Sequence, residues 1–255
     1  MADAPSGVKG LAPRWPRVLL ILLPLLWALL HVTGALRLQV IDQIDALMQD
    51  SRLRLTLPRT QDPRIVIVDI DEKSLGEMGR WPWGRDHLAQ LLDELFERQQ
   101  VALVGFGRAF DAPDERSGLA RLRHLATHEL RDVPAYARHL QSLEASLDHD
   151  GQFARALRDR PVVLGFHFTR DAPGQTAGVL PAPAMVADSL QGRPVSVGEW
   201  SGYSANIERL AAAAPAAGFL EPLTDPDGRV RSMPLLARHA GQYYESLALA
   251  MFRTL

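Results

Sequence analysis

Two carboxylates one residue apart, Asp69 and Asp71, follow the apolar run Ile65-Val66-Ile67-Val68. A proline between two indoles, Trp81-Pro82-Trp83, comes next and leads into Arg85. Acids, a guanidinium and indole walls together suit a small polar or zwitterionic ligand, which needs a few placed polar groups in an otherwise apolar crevice. Arg108 and His167 fall at or after two later apolar runs. Ligands of open α/β sheets sit outside the carboxyl ends of the strands. Asp69, Asp71, Trp81, Trp83, Arg85, Arg108 and His167 are therefore the candidate ligand-binding residues. A structural reading competes: Asp71 caps the turn behind it, Arg85 pairs with Asp69, and the tryptophans are core.

These residues need a scaffold, and the periodicities outline one. Ile65 to Val68 is β-branched and reads as a buried strand. Leu88, Leu91, Leu92, Leu95 and Phe96 recur at i, i+3, i+4, i+7 and i+8, a helix with Asp86 as its N-cap. Val101 to Phe106 reads as the next strand, so strand, helix and strand form a parallel βαβ unit. Two helices separated near Pro134 are expected over 115–149, then a short helix around Phe153 and a strand from Pro161 to Phe168. Residues 171–202, rich in Pro, Gly and Ala, read as a long loop over the sheet. A strand at 218–221, the turn Asp225-Pro226-Asp227-Gly228, a further strand over 230–239 and a closing helix from Tyr244 complete the domain. The fold class is α/β: a three-layer domain with a mostly parallel sheet and late antiparallel strands, preceded by an N-terminal transmembrane helix.

That last element comes from a stretch of different character. From Val18 to Leu36 there is no Asp, Glu, Lys or Arg, close to the ~20 apolar residues that span a bilayer. Lys9, Arg14 and Arg17 precede it, whereas Arg37 stands alone until Arg52, so the N-terminus is expected in the cytoplasm and the main domain outside. A cleaved signal peptide competes, but the apolar run is long for one. Val40, Ile41, Ile44, Leu47 and Met48 then form a helical stripe that either pairs with a second subunit or lies on the domain. The expected divisions are a cytoplasmic tail (1–17), a transmembrane helix (18–36), a membrane-proximal helix (37–57) and an extracytoplasmic domain (58–255).

Composition narrows the function. A net charge of −2 gives no basic footprint for nucleic acid. With no cysteine, thiolate metal sites and cysteine nucleophiles are excluded. His124 and His128 lie one helical turn apart, a spacing that can hold a metal, yet no third ligand accompanies them; with His139 and His149 they read as exposed helical histidines. No metal site and no cofactor is assigned.

The motifs together resemble a known family, the CHASE domain of the second type (cyclase/histidine kinase-associated sensory extracellular domain). The resemblance rests on Asp50-Ser51-Arg52-Leu53-Arg54, Val68-Asp69-Ile70-Asp71-Glu72 with Ser74-Leu75, and Gly79 through Trp81-Pro82-Trp83 to Arg85. It continues through Val104-Gly105-Phe106, Phe110, Pro113-Asp114, Asp150 and Ala154. It closes on Asp225-Pro226-Asp227-Gly228-Arg229-Val230-Arg231, Pro234-Leu235-Leu236 and Ser246-Leu247-Ala248-Leu249. Gly107 stands where such domains usually carry an acid, and 115–149 is longer than the pattern needs. The resemblance implies a periplasmic or extracellular ligand-sensing domain of an inner-membrane receptor, itself no enzyme; a homodimer, paired through the stripe from Val40 to Met48, is a separate expectation. It also implies a cytoplasmic output, an adenylate or diguanylate cyclase or a histidine kinase, beyond this chain, so the chain reads as the sensory part of a longer receptor.

Two other readings remain open at this point. Asp69-Ile70-Asp71 has the spacing of a haloacid-dehalogenase-type phosphotransferase, with the first acid as nucleophile and the second for proton transfer. Lys73 and the lack of a later acidic pair for Mg²⁺ depart from that pattern. A purely structural module that fixes dimer geometry is the other alternative.

Overall fold

The computed structural model describes residues 15–33, 39–58, 60, 62–170, 174–186 and 197–255. The chain divides into two compact units, Met1–Asp69 and Ile70–Leu255. The first contains helices α1 (Trp15–Val32) and α2 (Gln39–Thr56). Among the described residues no helix is long and apolar enough to cross a membrane. The expected span falls on α1, and residues 34–36 of it lie outside the described residues. The stripe on α2 is exposed throughout: Val40, Ile41, Ile44, Leu47 and Met48 range from 39% to 66%.

The expected first strand does not form. Ile65 to Val68 lie outside every strand and are 61% to 89% exposed. Branching at Cβ favours strands only where side chains pack on neighbours and the backbone is paired, and among the described residues this run has no strand beside it. The expected βαβ unit at this place is therefore absent, and with it the buried-strand setting that a phosphotransferase reading of Asp69 and Asp71 requires.

In the second unit, α3 (Glu72–Met78) and α4 (Arg85–Asp93) come first, and a π-helical turn at Glu94–Arg98 extends α4. Strand β1 (Val104–Phe106), helices α5 (Leu119–Thr127), α6 (Pro134–Leu147) and α7 (His149–Leu157), and strand β2 (Val162–Thr169) follow. The rest alternates β3 (Thr176–Ala177), β4 (Met185–Val186), β5 (Glu199–Trp200), β6 (Gly202–Ser204), α8 (Glu208–Ala211) and β7 (Ala216–Phe219). Last come β8 (Leu223–Thr224), β9 (Val230–Ser232), β10 (Leu236–His239), β11 (Gln242–Glu245) and α9 (Leu247–Thr254). The expected long loop over 171–202 thus holds three short strands and the start of β6, with 171–173 and 187–196 outside the described residues. The closing helix begins later than its periodicity predicts, because Tyr243 and Tyr244 belong to β11.

Several sheets replace the single, mostly parallel one that was expected. β2 is the central strand of the largest, parallel to β1 (Val104 opposite Val162) and β7 (Val163 opposite Ala216) and antiparallel to β6. β10 and β11 pair antiparallel and, with β4 and β5, make a second sheet; β8 and β9 form a hairpin. The late antiparallel pairing is as expected. The architecture is mixed α/β.

Burial explains the arrangement. Val162, Leu164, Phe166 and Phe168 point to one side of β2, and all are 3% exposed or less. The first two meet Leu88 and Leu92 of α4, Phe153 and Leu157 of α7, and Leu210 of α8. The last two meet Phe219, Ala237 and Tyr244, joining the two larger sheets. Phe106, Phe110 and Phe153 pack edge to face with centroids 5.1–5.7 Å apart. These contacts bring α4 against α7, which positions the site below.

Candidate functional site

Because α4 and α7 pack side by side, their first residues come together. Gly84 is the N-cap of α4, so Asp86 sits inside the first turn and does not cap it as its position suggested. Asp148 caps α7 by accepting from Gly151 N–H at 3.0 Å, which puts His149 at the first helical position. Asp114, on the loop behind β1, meets both helix starts. Its Oδ2 accepts from Arg85 N–H at 2.8 Å and its Oδ1 from Arg116 N–H at 3.0 Å.

His149 Nδ1 lies 3.2 Å from Asp114 Oδ2 and 3.4 Å from Asp86 Oδ1. His87 Nδ1 lies 3.3 Å from the same Asp86 oxygen. Burial alone would push the Asp114 carboxyl up, but the Arg85 and Arg116 N–H groups and His149 outweigh it and hold the pKa below the usual carboxylate range. Among the described residues, Asp86, Asp114 and His149 form the group that could hold a metal ion.

A cleft of about 420 Å³ opens beside this cluster, lined by Met78, Arg80, Trp83, Gly84, Asp86, His87, Arg116 and His149. It joins an indole wall to one acid, two imidazoles and two guanidinium-bearing residues, a mixture suited to a small polar molecule of either sign or both. Trp83 is held by its Nε1–H, which donates to Gly79 O at 2.9 Å, and by Trp81, edge to face at 5.7 Å. The Trp81–Pro82 peptide bond is cis. Behind Trp81, the Arg108 guanidinium stacks at 5.1 Å over its ring and at 5.1 Å over Phe110. Burial, then the nearby Arg85 charge, pushes the Arg108 pKa below the usual arginine value.

The candidate residues named from sequence separate into distinct places. Trp83 lines the cleft, and Trp81 and Arg108 support it in series. Arg85 lies beneath, buried, where its guanidinium binds the Asp150 carboxylate and Ala112 O and lies 5.3 Å from the Phe110 centroid. Its partner is thus Asp150. Asp71 caps α3, accepting from Ser74 N–H at 2.8 Å and from its hydroxyl at 2.7 Å. These bonds lower the Asp71 pKa. Asp69 belongs to the first unit. His167 stands on the face of β2 opposite Phe166 and Phe168 and pairs with Glu221 at 2.7 Å.

Sequence reasoning missed Asp86, Asp114 and His149 as a group. His149, read as exposed, has a side chain only 15% exposed. The signal that could have pointed here was the company of Pro113-Asp114 and Asp150 in the family pattern. His124 and His128 do stack, with centroids 3.9 Å apart, on the surface of α5 and just past it.

No curated protein and no solved structure matches the chain. The model of one family, the CHASE2 domain, matches residues 19–255. CHASE2 domains are sensory and extracellular, not catalytic. A match over nearly the whole length establishes that this chain belongs to the CHASE2 domain family.

Proposed function

We propose that the chain is the extracytoplasmic ligand-sensing part of a membrane-anchored bacterial receptor, and that its ligand occupies the cleft walled by Trp83. The observation that carries this reading is the cleft itself, where an indole, two arginines, two histidines and a carboxylate converge. The ligand class is a small zwitterion or polar anion, since both signs of charge face the same space. No nucleic acid is involved.

Anchoring rests on the uncharged stretch from Val18 to Leu36 and on the exposure of α1, whose Leu20, Ile21 and Leu25 are 67% to 78% exposed. Apolar side chains around a whole helix favour apolar surroundings. The N-terminus is then cytoplasmic and the domain periplasmic. The exposed stripe on α2 is the surface for a homodimer, and α2 is the lever that passes movement to a cyclase or kinase output. Such a lever works only if the ligand binds two states unequally.

The test is a thermal-shift series on the full chain in detergent, against amino acids and dicarboxylates. A sensor gains stability by mass action from the compound it binds, and Trp83→Ala removes that gain while retaining the ligand-free melting temperature to within a few degrees. If no compound shifts wild type, the purely structural dimerisation module becomes the better reading. A native gene product well above 28.2 kDa, detected in source membranes, would support an attached output domain.

A further inference from the structure

We infer that Asp86, Asp114 and His149 form a binding site for one divalent transition-metal cation of the Zn²⁺ or Mn²⁺ type. Two hard carboxylates and one imidazole suit such ions, whereas Mg²⁺ and Ca²⁺ prefer oxygen alone.

The spacing admits an ion between the donors. Charge-assisted N–H···O bonds contract to about 2.7–2.9 Å, yet His149 Nδ1 stands 3.2 Å and 3.4 Å from its two carboxylate oxygens. Ligand atoms at about 2.0–2.2 Å from a tetrahedral Zn²⁺ are separated by about 3.3–3.6 Å. All three donor atoms lie within 4.8 Å of one another. The two separations from His149 have the dimensions of a coordination shell.

Gly84 supplies a second, independent observation. A Cβ built on it would collide with Asp86 Oδ1 and lie 3.3 Å from His149 Nδ1 and 3.5 Å from Asp114 Oδ2. The three donors therefore all approach the place where a side chain at residue 84 would begin. Gly84 has φ −61 and ψ 154, which any residue adopts. Backbone conformation does not demand glycine here; a Cβ would instead displace the Asp86 carboxylate from its place beside His149.

The cation's surroundings are prepared. The Asp114 side chain is 5% exposed and fixed by two backbone N–H groups. Asp150 in turn holds Asp114 N–H through both carboxylate oxygens, at 3.1 Å and 3.3 Å. Such outer partners orient ligands and tune the ion. The N-termini of α4 and α7 are positive ends that oppose a cation, and the two carboxylates offset them. Asp86 and His149 also line the cleft, which gives the ion an entry path and a vacant position for water or a ligand atom. The inference goes beyond the ligand reading, and because the metal is tested alone either can fail without the other.

The experiment is equilibrium dialysis of the chelator-stripped full chain with Zn²⁺ and, separately, Mn²⁺, with melting temperatures taken in parallel. Wild type is expected to retain one equivalent of at least one ion and to melt higher with it, and Mg²⁺ and Ca²⁺ are expected to do neither. Asp86→Asn, His149→Gln and Gly84→Ala each weaken binding about tenfold or more, the range for disturbing a metal site, while His124→Gln does not. Asp114 is left intact because it also holds two backbone N–H groups. No saturable binding by wild type overturns the inference. So does wild-type affinity in Asp86→Asn and His149→Gln, or binding lost only in His124→Gln, which would place the ion on the stacked surface histidines.

Discussion

Arg85 and Asp150 form an ion pair whose side chains are only 9% and 15% exposed, and Asp150 also receives Asp114 N–H. The start of α4, the start of α7 and the loop behind β1 are thereby tied at one point. Removing one partner leaves a buried charge uncompensated, which costs about 3–5 kcal/mol. Asp150→Ala should therefore lower the urea midpoint steeply. The Arg85→Met, Asp150→Leu double variant, with no charge left to strand, should recover part of the loss, the Asp114 N–H and Ala112 O being left without these partners.

Asn206 is 1% exposed and spans the fold from within. Its Oδ1 accepts from Phe110 N–H at 2.8 Å and its Nδ2 donates to Gly165 O at 3.1 Å. Asn206→Leu orphans a buried donor and a buried acceptor, each worth about 1–3 kcal/mol. Hydrogen exchange should accelerate at Phe110 before it does so along β2.

Gly218 in β7 faces the start of α9. A Cβ there would lie 2.5 Å from both Leu247 Cα and Leu247 N. Backbone cannot yield as a flexible side chain can, so Gly218→Ala should cost about 1–3 kcal/mol by overpacking. Thermal denaturation should show a loss that Gly107→Ala does not, since Gly107 has open space around it.

His167 gains its hydrogen bond to Glu221, and that bond, then the Glu221 and Asp111 charges, raises its pKa above the usual value against the opposing effect of burial. A raised folded-state pKa adds stability that is complete below the unfolded value of about 6.5 and disappears as pH rises through the folded value. The wild-type melting temperature should fall from pH 6 to pH 8 more than that of His167→Gln. The difference will be small, because the side chain is 49% exposed and solvent screens the pair.

The parts legible in the sequence are those in which a local pattern and the tertiary environment agree. The stripe of Leu88 and Leu92 predicted α4, the apolar run from Val162 predicted β2, and Asp225 to Gly228 marked the β8–β9 turn. Pattern failed where pairing decides. Ile65 to Val68 has strand composition and, among the described residues, no strand partner, and Tyr244, taken as the start of the closing helix, pairs with β10. There Ser246, buried and capping α9 through Leu249 N–H, was the available marker of the boundary. For the candidate site, the indoles announced themselves by composition. Asp114 and His149 did not, because only the packing of α4 on α7 brings them together.

The contact between Asp114 and His149 also defines a place where the chain can change length. The segment from Glu115 to Asp148 leaves and rejoins the domain beside that contact, with Leu119 buried and Asp148 paired with Arg209 near its ends, and α6, its longest helix, has no buried residue. Lengthening a loop whose ends already meet costs only about 0.6 kcal/mol per doubling. The part of this excursion between α5 and α6 is therefore a module that descent can extend, trim or replace, while selection on the core and the cleft acts at its ends, through Leu119, Arg116 and Asp148. Related sequences should vary most in length there, and a reporter domain grafted between Arg131 and Asp132 should leave the remaining fold in place.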